Sequence, residues 1–440
     1  MRRPQRLAGA LMAAVALAGV LAACSPARRQ ATERQPIQFW TLDLAPKFND
    51  YLNDVIARWE QQNPGYDVVW TDVPWGSVER KLLAAVFART APDVVNLNPL
   101  FAANLASKGG LQPLEPLLPQ GASKTYLPLI WQAGQSAAPD GQPQQFAIPW
   151  YLTARITLAN TQLLSQAGYS APPRTWAEVP AYAEAVKRRT GRYALFVTVV
   201  PEDSAELLES LVQMGVTLLD ARQRAAFNTP AGRRAFAFWS DLYRRGLLPR
   251  EVVSQGYRRA IELYQSGELA QVGSGAEFLR SIQTNAPQVA AATRPYPPLA
   301  GSNGAANVAV MTLAIPRQSK VAEPATRFAL FLTDASNQAR FAEQARVLPS
   351  SIGALQRVQE TLEAEEPATQ PERLVRQARL LSAQTLSSAR VLVPASPGVK
   401  RLQAIVYTQL QRAMLGQISS DAALAEAERQ WNAYAAGRWP

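Results

Sequence analysis

Apolar residues in this chain recur at two spacings that take turns. Ile37-Gln-Phe-Trp40 reads as a short strand, and Phe48, Tyr51, Leu52, Val55, Ile56 and Trp59 then recur at three- and four-residue intervals. The second spacing places large side chains on one face of a helix, and Asn63-Pro64-Gly65 supplies its stop. Residues 67–70 read as a second strand, 77–88 as a second helix and 93–97 as a third strand. Strands alternating with helices predict a parallel sheet with right-handed crossovers. Ligands of such sheets sit beyond the carboxyl ends of the strands, which nominates three tips, 40–43, 73–76 and 96–99.

Residues 146–160 then leave one α/β series and enter another. This pivot holds Pro149, the adjacent aromatics Trp150 and Tyr151, and a β-leaning run from Arg155 to Leu158. A segment between two units is a natural hinge, and its aromatics would face the cleft between them. The competing reading is a core strand whose two aromatics pack on helices.

Beyond the pivot, 175–189 is helical and 193–197 a strand. Thr229 and Pro230 suit the cap and first turn of a helix that buries Phe236, Trp239, Leu242 and Tyr243 and ends at Gly246. Residues 269–273 form a strand with 274–278 at its tip, and 293–307, dense in Pro and Gly, is a loop that would cross back between units. A strand over 308–315 and a helix opened by Pro324 follow. Residues 360–372 read as a charged linker. Two closing helices are lined by Leu402, Ile405, Val406, Leu410 and Ala413, and by Leu424, Trp431 and Tyr434.

Composition adds the location. A chain of 440 residues, 48% hydrophobic and 18% charged, suits two or three globular domains. Arg2, Arg3 and Arg6 precede an apolar run over 7–23 that is short for a membrane span, so 1–23 reads as an export signal. Leu21-Ala-Ala-Cys24 follows, and Cys24 is the only cysteine. This site resembles the bacterial lipobox, whose cysteine is acylated and becomes the mature N-terminus. Residues 24–36 would be a tether reaching ~20 Å from that anchor. Cleavage removes three arginines and lowers the formal charge from +11 to +8. The arginines are scattered among acids, without a basic run beside stacking aromatics, so nucleic acid is not an expected partner.

The absences narrow the chemistry. The chain has no histidine, which removes histidine-based nucleophiles and histidine-ligated zinc, and no metal or other cofactor is expected. A glycosidase built on two carboxylates stays open.

Along its length the chain resembles the family 1 extracellular solute-binding proteins, the lipid-anchored receptors of carbohydrate ABC importers, in the manner of the maltose/trehalose-binding proteins. The resemblance is carried by Ile37-Gln-Phe-Trp40, Trp59-Glu-Gln-Gln-Asn-Pro-Gly65, Val73-Pro-Trp-Gly76 with Lys81-Leu-Leu83, and Ala91-Pro-Asp-Val-Val95. It continues through Ile148-Pro-Trp-Tyr151 with Arg155 and Asn160, Pro173-Arg-Thr-Trp176, Ser266-Gly-Glu268, and Ala314-Ile-Pro316 with Ser319-Lys320. It implies an α/β, two-lobed periplasmic-binding-protein fold (type II), each lobe a mainly parallel sheet flanked by helices and joined by crossing strands. Lobe 1 would hold 37–149 and 307–349, lobe 2 150–306 and 372–440, with 350–371 a linker.

The resemblance also implies a site. Trp40 and Asp43 fall at the first tip, Trp75 at the second, Asn98 at the third, Trp150 and Tyr151 at the crossing, and Glu277 and Phe278 at the second-lobe tip. Trp40 and Phe278 read equally well as core, and Asp43 as a helix-start acid. Aromatic rings suit the C–H faces of sugars, and buried hydroxyls demand polar partners. Thr153 stands where many relatives carry an acid, and Glu277 where a tryptophan is common. The expected function is binding of a di- or oligosaccharide, or a glycoside osmolyte, by an exported monomer lipid-anchored at the cell membrane, in the periplasm or at the extracytoplasmic surface, with delivery to ABC permease subunits. The competing functions are the two-carboxylate glycosidase, a receptor for a non-sugar solute and a lipid-anchored scaffold.

Overall fold

The computed structural model describes residues 34–137, 142–201, 203–301, 304–386, 388–393 and 398–437, with 75, 76, 79, 137 and 277 placed by their backbone alone. The export signal, Cys24 and most of the tether lie outside the described residues.

The strands are β1 (Gln35–Leu42), β2 (Tyr66–Val73), β3 (Val94–Leu97), β4 (Gln135–Ala137), β5 (Pro143–Gln145) and β6 (Ala147–Ala154) in the first part of the chain. They continue as β7 (Ile156–Asn160), β8 (Gln271–Ser274), β9 (Thr293–Tyr296), β10 (Ala306–Ala314), β11 (Leu348–Pro349) and β12 (Ala389–Arg390). The large sheet has the order β11-β6-β10-β3-β1-β2, with β12 on β10; β4 and β5 form a hairpin, and β8-β7-β9 a second sheet. β1 runs parallel to both β2 and β3, as the helix–strand alternation predicts. β10 is antiparallel to β3 and to β6, so β6 runs the same way as β1, β2 and β3.

That direction positions the site. The carboxyl ends of β1, β2 and β3 share one edge with the end of β6, where the chain crosses through Arg155 into β7. β10 returns at the same edge, with Val308 opposite Ala154. In the second sheet Ile156 pairs with Ser274, so the tip after β8 also lies at the crossing.

Each sheet carries its own core. Ile37, Phe39, Trp59, Trp150, Leu313 and Phe328 belong to the first; Leu158, Trp239, Tyr264, Leu402 and Trp431 to the second. Burying each such side chain contributes roughly 1.5–3 kcal/mol. The closing helices Val399–Met414 and Ser420–Ala435 pack on the helix Pro230–Arg244, within the second core. That helix starts as the sequence predicts, with Thr229 Oγ1 accepting from Gly232 N at 3.3 Å and Pro230 in the first turn. Gly232 is required by contact: a Cβ there would lie 1.9 Å from the Phe227 carbonyl oxygen.

Four expectations are corrected. The second sheet is antiparallel throughout, because β8 arrives after a long helical excursion rather than a single crossover. Residues 193–197 form only one parallel bridge, Tyr193 to Leu269, not a strand. The loop 293–307 begins with β9, where Pro295 is tolerated at the sheet's edge. The linker 350–371 is largely the helix Ile352–Ala364, capped by Ser351 Oγ accepting from Ala354 N at 3.2 Å. Its charges ride on the helix's exposed face, and Thr369 with Glu372 forms a capping box that opens the helix Gln370–Thr385. Among the described residues no helix is long and apolar enough to cross a membrane.

Candidate ligand-binding site

The first-lobe tip is built around Asp72. Its Oδ1 accepts from Thr41 Oγ1 at 2.6 Å and Leu44 N at 3.1 Å, and its Oδ2 from Ala45 N at 3.1 Å. These bonds hold a bend in which Asp43 is exposed with φ 50°. Trp40 is half-buried beside it, with Lys81 Nζ 4.7 Å from its ring centroid. At the second tip Pro74 precedes the helix Trp75–Phe87, which Trp75 opens. At the third, Asn98 caps the helix Pro99–Ser107, its Oδ1 accepting from Phe101 N at 2.8 Å. Trp40, Asp43, Trp75 and Asn98 are thus brought to one edge of one sheet.

The two crossing aromatics are not at that edge. Trp150 is fully buried and stacked on Phe341, and Tyr151 meets the same ring edge-on at 5.3 Å. The cause is a bulge: Tyr151 pairs with Met311 and Pro149 with Thr312, leaving Trp150 unpaired between them. Burial, with the charge of Asp72 adding to it, holds the Tyr151 hydroxyl well above the ordinary phenol range.

On the second lobe Glu277 lies in the short turn Ala276–Phe278. Phe278 is half-buried, edge-on to Tyr257 at 6.0 Å. Beside them Arg155, between β6 and β7, donates from Nη1 to Glu209 Oε2 at 3.0 Å and lies 3.7 Å from Glu206 Oε1. Burial pushes the Glu206 carboxyl up to about 7, with the charge of Arg155 drawing the other way, and burial also raises Glu209. For Arg155, burial works against the charge, but Glu206 and Glu209 outweigh it. The two glutamates line a cavity of about 570 Å³ with Thr157, Trp176 and Gln271. Sequence reasoning left this cluster out of the site, although an arginine inside an apolar run already demands carboxylate partners.

A larger groove of about 1440 Å³ spans the two lobes. Lys47 and Arg346 reach it from the first lobe, Ala276 and Arg280 from the second, and Glu372 and Arg379 from the helix Gln370–Thr385. Lys47 follows the first tip in sequence, and Ala276 shares the turn of Glu277 and Phe278, but Trp40, Asp43, Asn98, Trp150, Tyr151 and Phe278 are not among the residues that line the groove. Among the described residues no group of three or more Asp, Glu, Cys or His could hold a metal ion.

Known proteins match this architecture. A family model described as bacterial extracellular solute-binding protein covers residues 45–339. A candidate oligosaccharide periplasmic-binding protein from Synechococcus sp. MITs9220 is 69% identical with a TM-score of 0.86, over 92% of this chain and 100% of that one. A structure of the same description, 70% identical, is in complex with zinc. The sugar-binding protein MalE from Xanthomonas citri shares the fold at 23% identity and TM-score 0.73, over 92% of this chain and 98% of that one. A candidate binding protein of Brucella abortus (strain 2308) is 22% identical over 415 residues, 93% of this chain and 96% of its own. With two sheets on two cores, a groove between them and the family's pattern across most of its length, the chain belongs to the bacterial extracellular solute-binding proteins.

Proposed function

We propose that this protein is the receptor of a sugar importer: it takes a sugar into the interlobe groove and presents it to the permease of an ABC transporter. The observation that carries the reading is the groove of about 1440 Å³, lined by hydrogen-bonding side chains from both lobes. The 69% identity to a protein described for oligosaccharides supports the choice of sugar among solutes. In this reading Trp40, Asp43, Trp75 and Asn98 meet the ligand from lobe 1, and Glu277 and Phe278 from lobe 2. Trp150 and Tyr151 support the hinge from within. The lobes divide at the β6–β7 crossing and before β10, Cys24 carries the lipid anchor, and the receptor works as an exported monomer anchored at the cell membrane.

A thermal-shift screen of mono- and disaccharides, glycosyl-glycerols, peptides and zinc tests this. At a hundredfold excess over its dissociation constant the cognate ligand stabilises the fold by ~2.7 kcal/mol. Stabilisation by a sugar supports the reading, and stabilisation by peptides or zinc alone defeats it.

One observation favours a second reading. Glu206, with its raised pKa beside Glu209, resembles the acid–carboxylate pairing of glycosidases. Both side chains, however, leave one helix and face one arginine, so they do not flank a bond from opposite sides. Recovery of intact sugar after prolonged incubation with the protein excludes hydrolysis.

A further inference from the structure

We propose that the interlobe groove is built for a sugar carrying an oxyanion, a carboxylate, phosphate or sulfate group, gripped by Arg346 and Arg379. This rests on the reading of the groove as the sugar site. Arg346 follows the helix Ala335–Ala345 with φ 56° and ψ 30°. That left-handed conformation favours glycine, yet the position holds a half-buried arginine. Arg379 projects from the helix Gln370–Thr385 and lines the same groove, also half-buried. Neither side chain makes a hydrogen bond or ion pair among the described residues. Burial lowers the Arg379 pKa, Glu365 pulls against that, and the charge of Arg346 lowers it further. Two guanidinium groups from distant segments are therefore close enough to repel, with no carboxylate bonded to either.

The space behind them has the same character. Thr153, Arg346, Arg379 and Ser382 line a much smaller pocket there. The Ser382 hydroxyl is buried without a hydrogen-bond partner. Thr153, at the end of β6, is neutral and offers the arginines no counter-charge. Glu365, Glu366 and Glu372 also line the groove, but among the described residues none of them forms an ion pair with Arg280, Lys47, Arg346 or Arg379. Other arginines of this chain are engaged: Arg155 binds Glu209, and Arg376 donates to the carbonyl oxygens of Leu362 and Glu363. Unpaired, partly buried cations are costly, and a planar guanidinium fork matches an oxyanion with two parallel hydrogen bonds. A neutral sugar leaves that cost in place; a charged one removes it. The net positive charge of the mature chain would also steer such a ligand in.

Calorimetric titration of the mature protein with matched sugars tests the proposal. The probes are glucose, glucuronate and glucose 6-phosphate, galactose with galacturonate, and inorganic phosphate. At least one charged sugar is expected to bind tenfold or more tighter than its neutral counterpart, and the arm that does so identifies carboxylate or phosphate as the group. Arg346→Gly relieves the left-handed backbone, so its melting temperature should hold or rise while the charged-over-neutral ratio falls below threefold. Arg379→Gln should lower the ratio in the same way. Equal affinity for charged and neutral sugars, or a full preference retained in the folded Arg346→Gly protein, overturns the oxyanion grip alone. No binding of any sugar, charged or neutral, overturns both this inference and the sugar-receptor reading beneath it.

Discussion

Trp150 lies stacked against Phe341, with ring centroids 5.1 Å apart and planes 18° from parallel. Phe39, at 6.3 Å, packs on the same indole. The crossing strand is thereby tied to the first-lobe core immediately before the chain leaves for the second lobe. A hinge of this kind moves the lobes while its root stays rigid.

Trp150→Ala should therefore cost ~3–5 kcal/mol of stability, as removal of a large buried aromatic does. The indole N–H is buried without an acceptor, so Trp150→Phe should be far better tolerated. Urea unfolding of both variants checks this. A Trp150→Ala protein as stable as the parent but defective in binding would return the residue to the cleft.

Glu206 predicts a pH dependence of defined sign. Its folded pKa, about 7, lies above the ordinary value of 4.5. The folded state therefore holds a proton that the unfolded chain has released between those values. The stability from this proton is fully present below about pH 4.5 and is lost as pH rises through about 7. Glu206→Gln removes the liability and leaves the Arg155–Glu209 pair intact. It should raise stability at pH 8 by on the order of 1–3 kcal/mol and change it little at pH 5. Melting curves at the two pH values check this, and an equal effect at both would contradict the assignment.

Asn98 has two separable roles. Its side-chain oxygen caps a helix, and its amide nitrogen is proposed to meet the ligand. Asn98→Ala should cost ~1 kcal/mol of stability through the lost cap and weaken sugar binding as well. Asn98→Asp keeps the cap and should leave the melting temperature nearly unchanged while still weakening binding. Unaltered affinity in Asn98→Asp would remove the residue from the site.

Cys24→Ala should abolish labelled palmitate incorporation and move the protein to the soluble fraction. Retention on membranes after a salt wash would refute the lipid anchor.

Much of the first lobe was legible because its signals are local. Strands β1 to β3 and their helices follow hydrophobic spacing alone, and their parallel order follows from the alternation. The place of Trp150 was not legible: strict alternation assigns neighbours to opposite faces, and only the pairing of β6 with β10 reveals the bulge. The run of acids at 360–372 masked a capping box whose Thr369 and Glu372 were plain in the sequence. Arg346 and Arg379 could not be linked at all, since only the packing of separate helices makes them neighbours.

A sugar bound between the lobes should draw them together, because it contacts both and so favours the closed form. Small-angle X-ray scattering with and without the sugar that gives the largest thermal shift tests it directly. The radius of gyration should fall at saturation as the melting temperature rises. A raised melting temperature with an unchanged scattering profile would contradict it.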